Sequence, residues 1–167
     1  MDAMSLLQLL LVSLPEALLV TALSFQLVGL KIKTSDFILI GVSQTTIAYL
    51  VRLSPVPFGL HSLIQIILFI VLLRIITKIN FRVIIITALL GLTIYASLET
   101  VIGPTLLNLT GYHLNEVINN PTMRIIFFLP QAMVILLFII LTKKFDYRLV
   151  DFSRKVGQAT KIKSTAN

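Results

Sequence analysis

The chain has 167 residues and no cysteine; 57% of its residues are hydrophobic and only 13% are charged, so disulfides and thiolate chemistry are excluded. A mean hydropathy of +0.99 fits a chain that lies mostly inside lipid. The net charge of +7 comes from basic residues that flank apolar runs, which favours a membrane protein over a nucleic-acid-binding one.

The first apolar run, Ser5–Leu30, is longer than one straight helix needs to cross a hydrocarbon core of ~30 Å. The stretch Ser13–Glu16 is typical of a helix start, with a capping serine, a first-turn proline and a capping-box carboxylate. Two interpretations stay open. Helix 1 begins near Leu14 after a separate interfacial segment, Asp2–Val12, or a single long tilted helix is kinked at Pro15.

Four more transmembrane helices are predicted from apolar runs that lie between polar turns or prolines. They span about Phe37–Leu53, Phe58–Thr77, Val83–Ile102 and Thr122–Thr142. Prolines in Ser54–Pro57 end helix 2, and Gly103-Pro104 is predicted to break helix 4. Leu114, Val117 and Ile118 have helical spacing and predict a short outer interfacial helix. Asn120 and Pro121 then suit the cap and first position of helix 5.

The sequence therefore predicts an all-α polytopic membrane protein, with a five-helix transmembrane bundle over residues 1–143 and a basic tail over residues 144–167. Apolar side chains recur in the tail at helical spacing: Phe145, Leu149, Phe152 and Val156. In one interpretation this stripe is a basic amphipathic helix on anionic lipid. In the other it continues helix 5 and binds a partner. Residues from Gly157 onward are predicted to be disordered.

The basic residues are distributed unevenly across the predicted topology. If the tail is cytoplasmic, 12 of the 14 basic residues lie on the inner side, and only Arg52 and Arg124 lie on the outer side. Cytoplasmic segments of membrane proteins carry an excess of lysine and arginine. We therefore predict a multi-pass protein of the cell (plasma) membrane with a cytoplasmic C-terminus.

The intramembrane polar residues gather at one depth, in or above the outer half of the membrane. An ionisable residue costs at least ~2.5 kcal/mol at the bilayer centre, so it marks a functional-site hypothesis. We predict an outward-facing pocket for a small ligand, a peptide or a lipid head group. Its residues are Glu16, Arg52, His61, Gln65, Glu99 and Arg124, and Gln131 lies at a similar depth.

A structural interpretation of the same residues is equally open. Arg52 can pair with Glu16 or Glu99 and only hold helices together. His61 either titrates near neutral pH or simply bonds a neighbour, and the second is the commoner role of a lone histidine. Neither a catalytic triad nor a metal-ligand or phosphate-loop motif is present, so we predict no enzyme, no metal and no cofactor.

Three stretches resemble the membrane-input regions of bacterial sensor histidine kinases that carry a GHKL-type ATPase domain. They are Leu14–Leu19 (LPEALL), Tyr49–Ile64 (YLVRLSPVPFGLHSLI) and Asn119–Gln131 (NNPTMRIIFFLPQ). The resemblance implies a signal-receiving membrane module. The chain departs from that family because it ends at Asn167 without a phosphoacceptor helix or an ATP-binding domain, so it is not expected to be a kinase by itself.

These features together predict a sensory or regulatory membrane module without catalysis. Its expected partners are membrane lipids and a protein, or a second copy of the chain, bound through the helices and tail; nucleic acid is not expected. The alternatives are a small-solute-binding subunit of a transporter and a structural subunit of a larger complex. A carrier needs a polar path to both sides, whereas the inner halves of helices 3, 4 and 5 are almost wholly apolar.

Overall fold

The computed structural model describes residues 6–54 and 57–152, and this part of the chain is helical, without a β-strand. The elements are α1 (Leu6–Gln8), a π-helical segment (Leu9–Ser13), α2 (Leu14–Leu27), α3 (Thr34–Leu53), α4 (Phe58–Thr77), α5 (Phe81–Thr110), α6 (Leu114–Asn119) and α7 (Pro121–Lys144). Within these described ranges, five stretches are long and apolar enough to cross a membrane: Leu9–Leu27, Thr34–Leu53, Leu60–Thr77, Phe81–Thr110 and Pro121–Lys144. The predicted all-α bundle of five spans is confirmed.

Helix α2 lies at the centre of the bundle and packs against α3, α5 and α7. Helix α4 contacts α3 and α5, so α2, α3, α4 and α5 form a ring of four helices. One end of this ring is filled by fully buried aliphatic side chains: Leu23, Leu27, Ile40, Leu73 and Ile84. We call it the tail end, because α7 also finishes there, and we call the opposite end the cavity end.

The outer faces of the helices carry exposed large apolar side chains. Examples more than half exposed are Ile38, Leu39, Leu63, Ile67 and Leu137. Soluble monomers rarely expose contiguous apolar surface beyond a few hundred Å², whereas lipid accepts it without cost. The chain is therefore a multi-pass helical membrane protein.

Helices α2 and α5 approach closely where Gly91 faces Ser24. A Cβ atom on Gly91 would lie 2.6 Å from the Cβ and 2.7 Å from the Cα of Ser24. The buried hydroxyls nearby are satisfied within α2, since Thr21 and Ser24 donate to the carbonyls of Ala17 and Val20 at 2.7 Å. Small residues with internally bonded hydroxyls are typical of helix contacts in membranes.

Of the two interpretations of the first apolar run, the structure does not favour the helix start at Ser13–Glu16. Ser13 has helical backbone angles and makes no side-chain capping bond, and the chain is helical from Leu6 to Leu27. Pro15 has no amide hydrogen, and its ring would clash with the carbonyl four residues earlier in a regular α-helix. The π-helical turn before it widens the ladder, with the Leu14 amide bonded to the Leu9 carbonyl. The single-helix interpretation is thus the closer one, although residues 1–5 lie outside the described chain.

The predicted break at Gly103-Pro104 is wrong, because α5 continues through Pro104 to Thr110. A proline clashes with the Cβ of the residue before it, and Gly103 has none. Apart from its chain neighbours and its own helix backbone, no atom of the described residues lies within 4 Å of the position a Gly103 Cβ would take, so no described helix packs against this turn. At ~1.5 Å per residue, α5 exceeds a ~30 Å hydrocarbon core, and its end projects beyond it.

The segment between α5 and α7 follows the sequence prediction. Helix α6 spans Leu114–Asn119 with Val117 buried. Asn120 caps α7, its side-chain oxygen accepting from the amides of Thr122 and Met123 at 3.0 and 3.4 Å. Helix α3 ends at Leu53 as predicted, while the predicted turn residues 55 and 56 lie outside the described chain.

The predicted helical stripe in the tail does not form in the part the structure describes. Helix α7 ends at Lys144, where Asp146 adopts φ +48° and Tyr147 donates to the Thr142 carbonyl. This bonding pattern closes a helix with a left-handed residue, and aspartate tolerates that conformation. Phe145 is 74% exposed whereas Phe152 is 8% exposed, so the two are not on one apolar face. Val156 and the predicted disordered end lie outside the described residues.

Residues 145–152 instead form a strap that returns to the end of α2. The amides of Leu149 and Phe152 donate to the carbonyls of Leu27 and Val28 at 2.9 and 3.1 Å. These are helix-end carbonyls that have no partner within α2 itself. Arg148 stiffens the strap: it bonds Asp146 at 2.7 Å, and that bond raises the pKa of its guanidinium.

Candidate functional site

A cavity of about 210 Å³ lies inside the four-helix ring at the cavity end. Each helix of the ring contributes to its wall: the first half of α2, the second half of α3, and the middle of α4 and α5. The polar side chains in the wall are Ser13, Glu16, Gln44, Thr45, Arg52, Gln65, Tyr95 and Glu99. The ring geometry therefore gathers polar groups that are far apart in sequence.

The structure brings most of the predicted site residues to this cavity. Glu16, Arg52, Gln65 and Glu99 line it. His61 lies one turn before Gln65, and the Gln65 amide nitrogen donates to the His61 Nε2 at 2.9 Å. Bonding to a neighbour is the simpler of the two roles expected for His61, and it orients the Gln65 amide at the wall.

Glu16 is the electrostatic centre of the site. It is partly buried, and it interacts repulsively with Glu99 and attractively with Arg52 and Arg124. Arg124 belongs to α7, outside the ring, and is close enough to interact electrostatically with both Glu16 and Arg52. Charges of both signs thus lie close together in the structure.

Two buried polar atoms at the cavity make no hydrogen bond within the described structure: the side-chain oxygen of Gln44 and the hydroxyl of Tyr95. Gln131 on α7 lies near the Tyr95 hydroxyl, but not in a geometry that forms a hydrogen bond. A buried polar group without a partner costs ~1–3 kcal/mol. Such groups in a cavity wall indicate that water or a ligand supplies the missing bonds.

Gln44 and Tyr95 were not among the predicted site residues, although the sequence held signals for both. Gln44 precedes Arg52 by eight residues on one face of α3, and Tyr95 precedes Glu99 by one turn on α5. Ser13 was expected to cap a helix, and its carbonyl instead accepts a long bond of 3.4 Å from the Thr45 hydroxyl. Which faces turn towards the cavity depends on the packing of four helices, which no single stretch reveals.

The cavity is suited to a small solute that carries both signs of charge. Its volume equals about seven water molecules at the ~30 Å³ that each occupies in the liquid. Arg52 can bind a carboxylate or phosphate, the glutamates can bind an ammonium group, and the amide and phenol groups can fix orientation. No group of three or more metal-ligating side chains occurs in the described parts of the chain.

Comparisons with protein-family models, with curated proteins and with solved structures found no match. The resemblance to sensor-kinase input regions therefore stays a prediction. The chemistry of the cavity is what supports a function for this chain.

Proposed function

We propose that this chain is a sensory or regulatory membrane module that binds a small dipolar solute in its cavity and has no catalysis of its own. The proposal places the protein in the cell membrane with the cavity end outward and the tail end in the cytoplasm. A protein partner, or a second copy of the chain, would receive the signal at the tail end.

The observation that carries the proposal is the pair of unsatisfied polar atoms beside opposite charges in one small cavity. Gln44 and Tyr95 each present a buried oxygen without a partner there. If the polar residues only held helices together, these oxygens would be expected to bond each other or the nearby charges. In our proposal a bound solute draws both side chains towards the cavity and bonds their oxygens, which have almost no exposed surface in the empty cavity.

The distribution of polar groups favours a sensor over a carrier. A carrier must offer a polar path, or an alternating site, to both sides of the membrane. Here the ring beyond the cavity is closed by Leu23, Leu73 and Ile84, all fully buried. A sensor needs only a pocket on one side and an element that reaches the other.

Ligand binding can be tested by thermal unfolding of the purified chain in detergent with a panel of amino acids as dipolar probes. A ligand at 100 times its Kd stabilises the folded state by ~2.7 kcal/mol, which raises the unfolding temperature. We expect at least one probe to do so, and Glu16→Gln to abolish the effect. Glu116→Gln is the matched control, because Glu116 lies on α6, outside the cavity wall.

Two outcomes would contradict the proposal. If no probe in the panel gives a shift of the unfolding temperature that depends on Glu16, the polar residues of the cavity have only a structural role. Saturable uptake of a binding probe into liposomes that contain only this chain would replace the sensor with a carrier. Orientation is tested separately with a single cysteine at position 56, since the chain has none of its own; labelling only from the cytoplasm would overturn it.

A further inference from the structure

A second cavity, of about 650 Å³, lies at the tail end of the bundle. It is bounded by the last turns of α2, the connection from α2 to α3, the first turn of α3, and the end of α7 with the strap. Gln26 of α2 lines it, ten residues after Glu16 of the first cavity, so the two sites are separated by ~15 Å along one helix. The proposed sensory function does not involve this second cavity.

Cationic side chains dominate the polar wall of the second cavity. Lys31, Lys143 and Arg148 line it, against a single lining carboxylate, Asp146. Asp146 is already bonded to Arg148 at 2.7 Å. Neither lysine has an ion-pair partner among the residues that the structure describes. Arg148 also contacts Asp151 at 3.3 Å, so the positive charge of the wall that lacks an ion pair among the described residues is that of the two lysines.

The first turn of α3 adds to this positive potential. Helix α3 begins at Thr34, which lines the cavity, and no side chain caps its N-terminus. The exposed amides at a helix start and the helix dipole favour an anion there. Asp36 in the same turn is the nearest carboxylate of α3, but it does not line the cavity.

Apart from Gln26 and Thr34, the remaining wall of the cavity is mainly apolar. Phe25, Leu30, Ile32 and Phe37 form it. The cavity also lies where two spans finish, at Leu27 and Lys144, which is the level of the lipid head groups. A cationic rim beside an apolar wall at this depth matches a phospholipid, whose phosphate lies beside its glycerol and acyl chains. Basic pockets between transmembrane helices bind anionic head groups in this way.

We propose that the second cavity binds an anionic phospholipid, with Lys31 and Lys143 contacting its phosphate and Ile32 and Phe37 contacting its apolar part. Because Arg148 of the strap lines the same cavity, a bound lipid also holds the strap against α2. The same phosphate chemistry could be supplied by free phosphate, and the apolar wall favours the lipid.

The test is lipid retention by the full chain in an uncharged detergent, measured by native mass spectrometry with added phosphatidylglycerol. Without an extended anionic surface, only lysines that touch the bound phosphate contribute to retention. Each such lysine contributes roughly fivefold, so K31Q with K143Q should weaken retention about 25-fold. K33Q with K144Q is the matched control, since it removes two neighbouring charges that do not line the cavity; it should change retention less than about threefold.

Three further readouts decide the remaining alternatives. Equal losses in the two double variants would mean general electrostatic attraction and would overturn the site. Displacement of the lipid by millimolar inorganic phosphate would overturn the lipid assignment, whereas retention in its presence supports it. Phosphatidylglycerol should slow hydrogen exchange at the Leu149 and Phe152 amides, and an unchanged rate would separate the strap from the site. Unfolding temperatures without lipid should match for all forms, because the four lysines are exposed.

Discussion

Replacing Gly91 by alanine tests the packing of α2 against α5 on which the cavity depends. The new Cβ would lie 2.7 Å from the Cα of Ser24, about 1 Å closer than an ordinary contact between carbon atoms. Ser24 is fully buried, and the conflicting atom is backbone, so no rotamer change relieves it. The two helices must separate.

The magnitude follows from two opposing effects. Overpacking of this kind costs ~1–3 kcal/mol, and the backbone conflict puts Gly91→Ala at the upper end. Alanine is favoured over glycine within a helix by ~1 kcal/mol. We therefore expect Gly91→Ala to lower the free energy of unfolding by about 2 kcal/mol.

Two other glycines of the chain, Gly103 and Gly41, serve as comparisons for Gly91→Ala. Gly103 is in the same helix, and apart from its chain neighbours and its own helix backbone no described atom lies within 4 Å of its Cβ position, so Gly103→Ala meets only the ring of Pro104 and should cost less than Gly91→Ala. At Gly41 the conflict is with the side chain of Leu18, which can rotate, so the cost should be intermediate. Reversible unfolding in mixed micelles, followed by circular dichroism, measures all three. A Gly91 variant as stable as the Gly103 variant would refute the close contact.

Three more outcomes are expected, each measured by the same unfolding assay. Phe152→Ala should cost about 3 kcal/mol because it empties a buried site, whereas Phe145→Ala, at a side chain 74% exposed, should cost little; equal costs would count against the strap. Asn120→Ala should cost ~1 kcal/mol by removing the cap of α7. Arg52→Leu should cost several kcal/mol if Arg52 pairs with Glu16, and Glu16→Leu in the same chain should restore part of it; additive losses would exclude that pairing.

The bounds of the spans were largely predictable from sequence because lipid selects for composition. The predicted third span, Phe58–Thr77, matches α4, and the Asn120 cap was recognised from residue type alone. Both depend on neighbours in sequence. A run of apolar residues must be helical in lipid, since only a helix satisfies its own backbone there.

The prolines show where local signals fail. Pro104 was interpreted as a helix end and Pro15 as either a helix start or a kink, yet both lie inside continuous helical segments. In soluble proteins a helix often ends at a proline, because water can hydrogen-bond the backbone carbonyl that the proline leaves without a partner. In a membrane the chain instead keeps the helix and adjusts it locally, with a π-helical turn before Pro15 and a glycine before Pro104.

The tail and the cavity wall were missed for a different reason, which is long-range contact. Helical spacing of Phe145 and Phe152 was real, but the strap gains hydrogen bonds to the end of α2 and burial of Phe152 that a straight continuation of α7 would forgo. The unsatisfied oxygens of Gln44 and Tyr95 became visible only when four helices were placed around one space. The residue types indicated that a polar site exists, and the packing of the helices determines which residues line it.

The strap also changes which element can carry a signal through the membrane. In one interpretation of the sequence the last span continues into the tail, which would make that span the relay. Helix α7 ends at Lys144. Helix α2, in contrast, places Glu16 in the cavity wall, and the carbonyls at its end accept hydrogen bonds from the strap. A rigid helix transmits a small shift at one end to its other end, so α2 connects the cavity to the strap more directly than α7 does.

This relay hypothesis predicts coupling between the cavity and two strap amides. Glu16→Gln removes the charge that attracts Arg52 and Arg124, so the first half of α2 should shift. If α2 moves as a unit, hydrogen exchange at the Leu149 amide should accelerate several-fold, because its acceptor is the Leu27 carbonyl. Glu116→Gln removes a carboxylate outside the cavity wall and should leave that rate unchanged. Equal exchange rates in the two variants would mean that α2 does not couple the cavity to the strap, and the signal would need a route through α3 or α5.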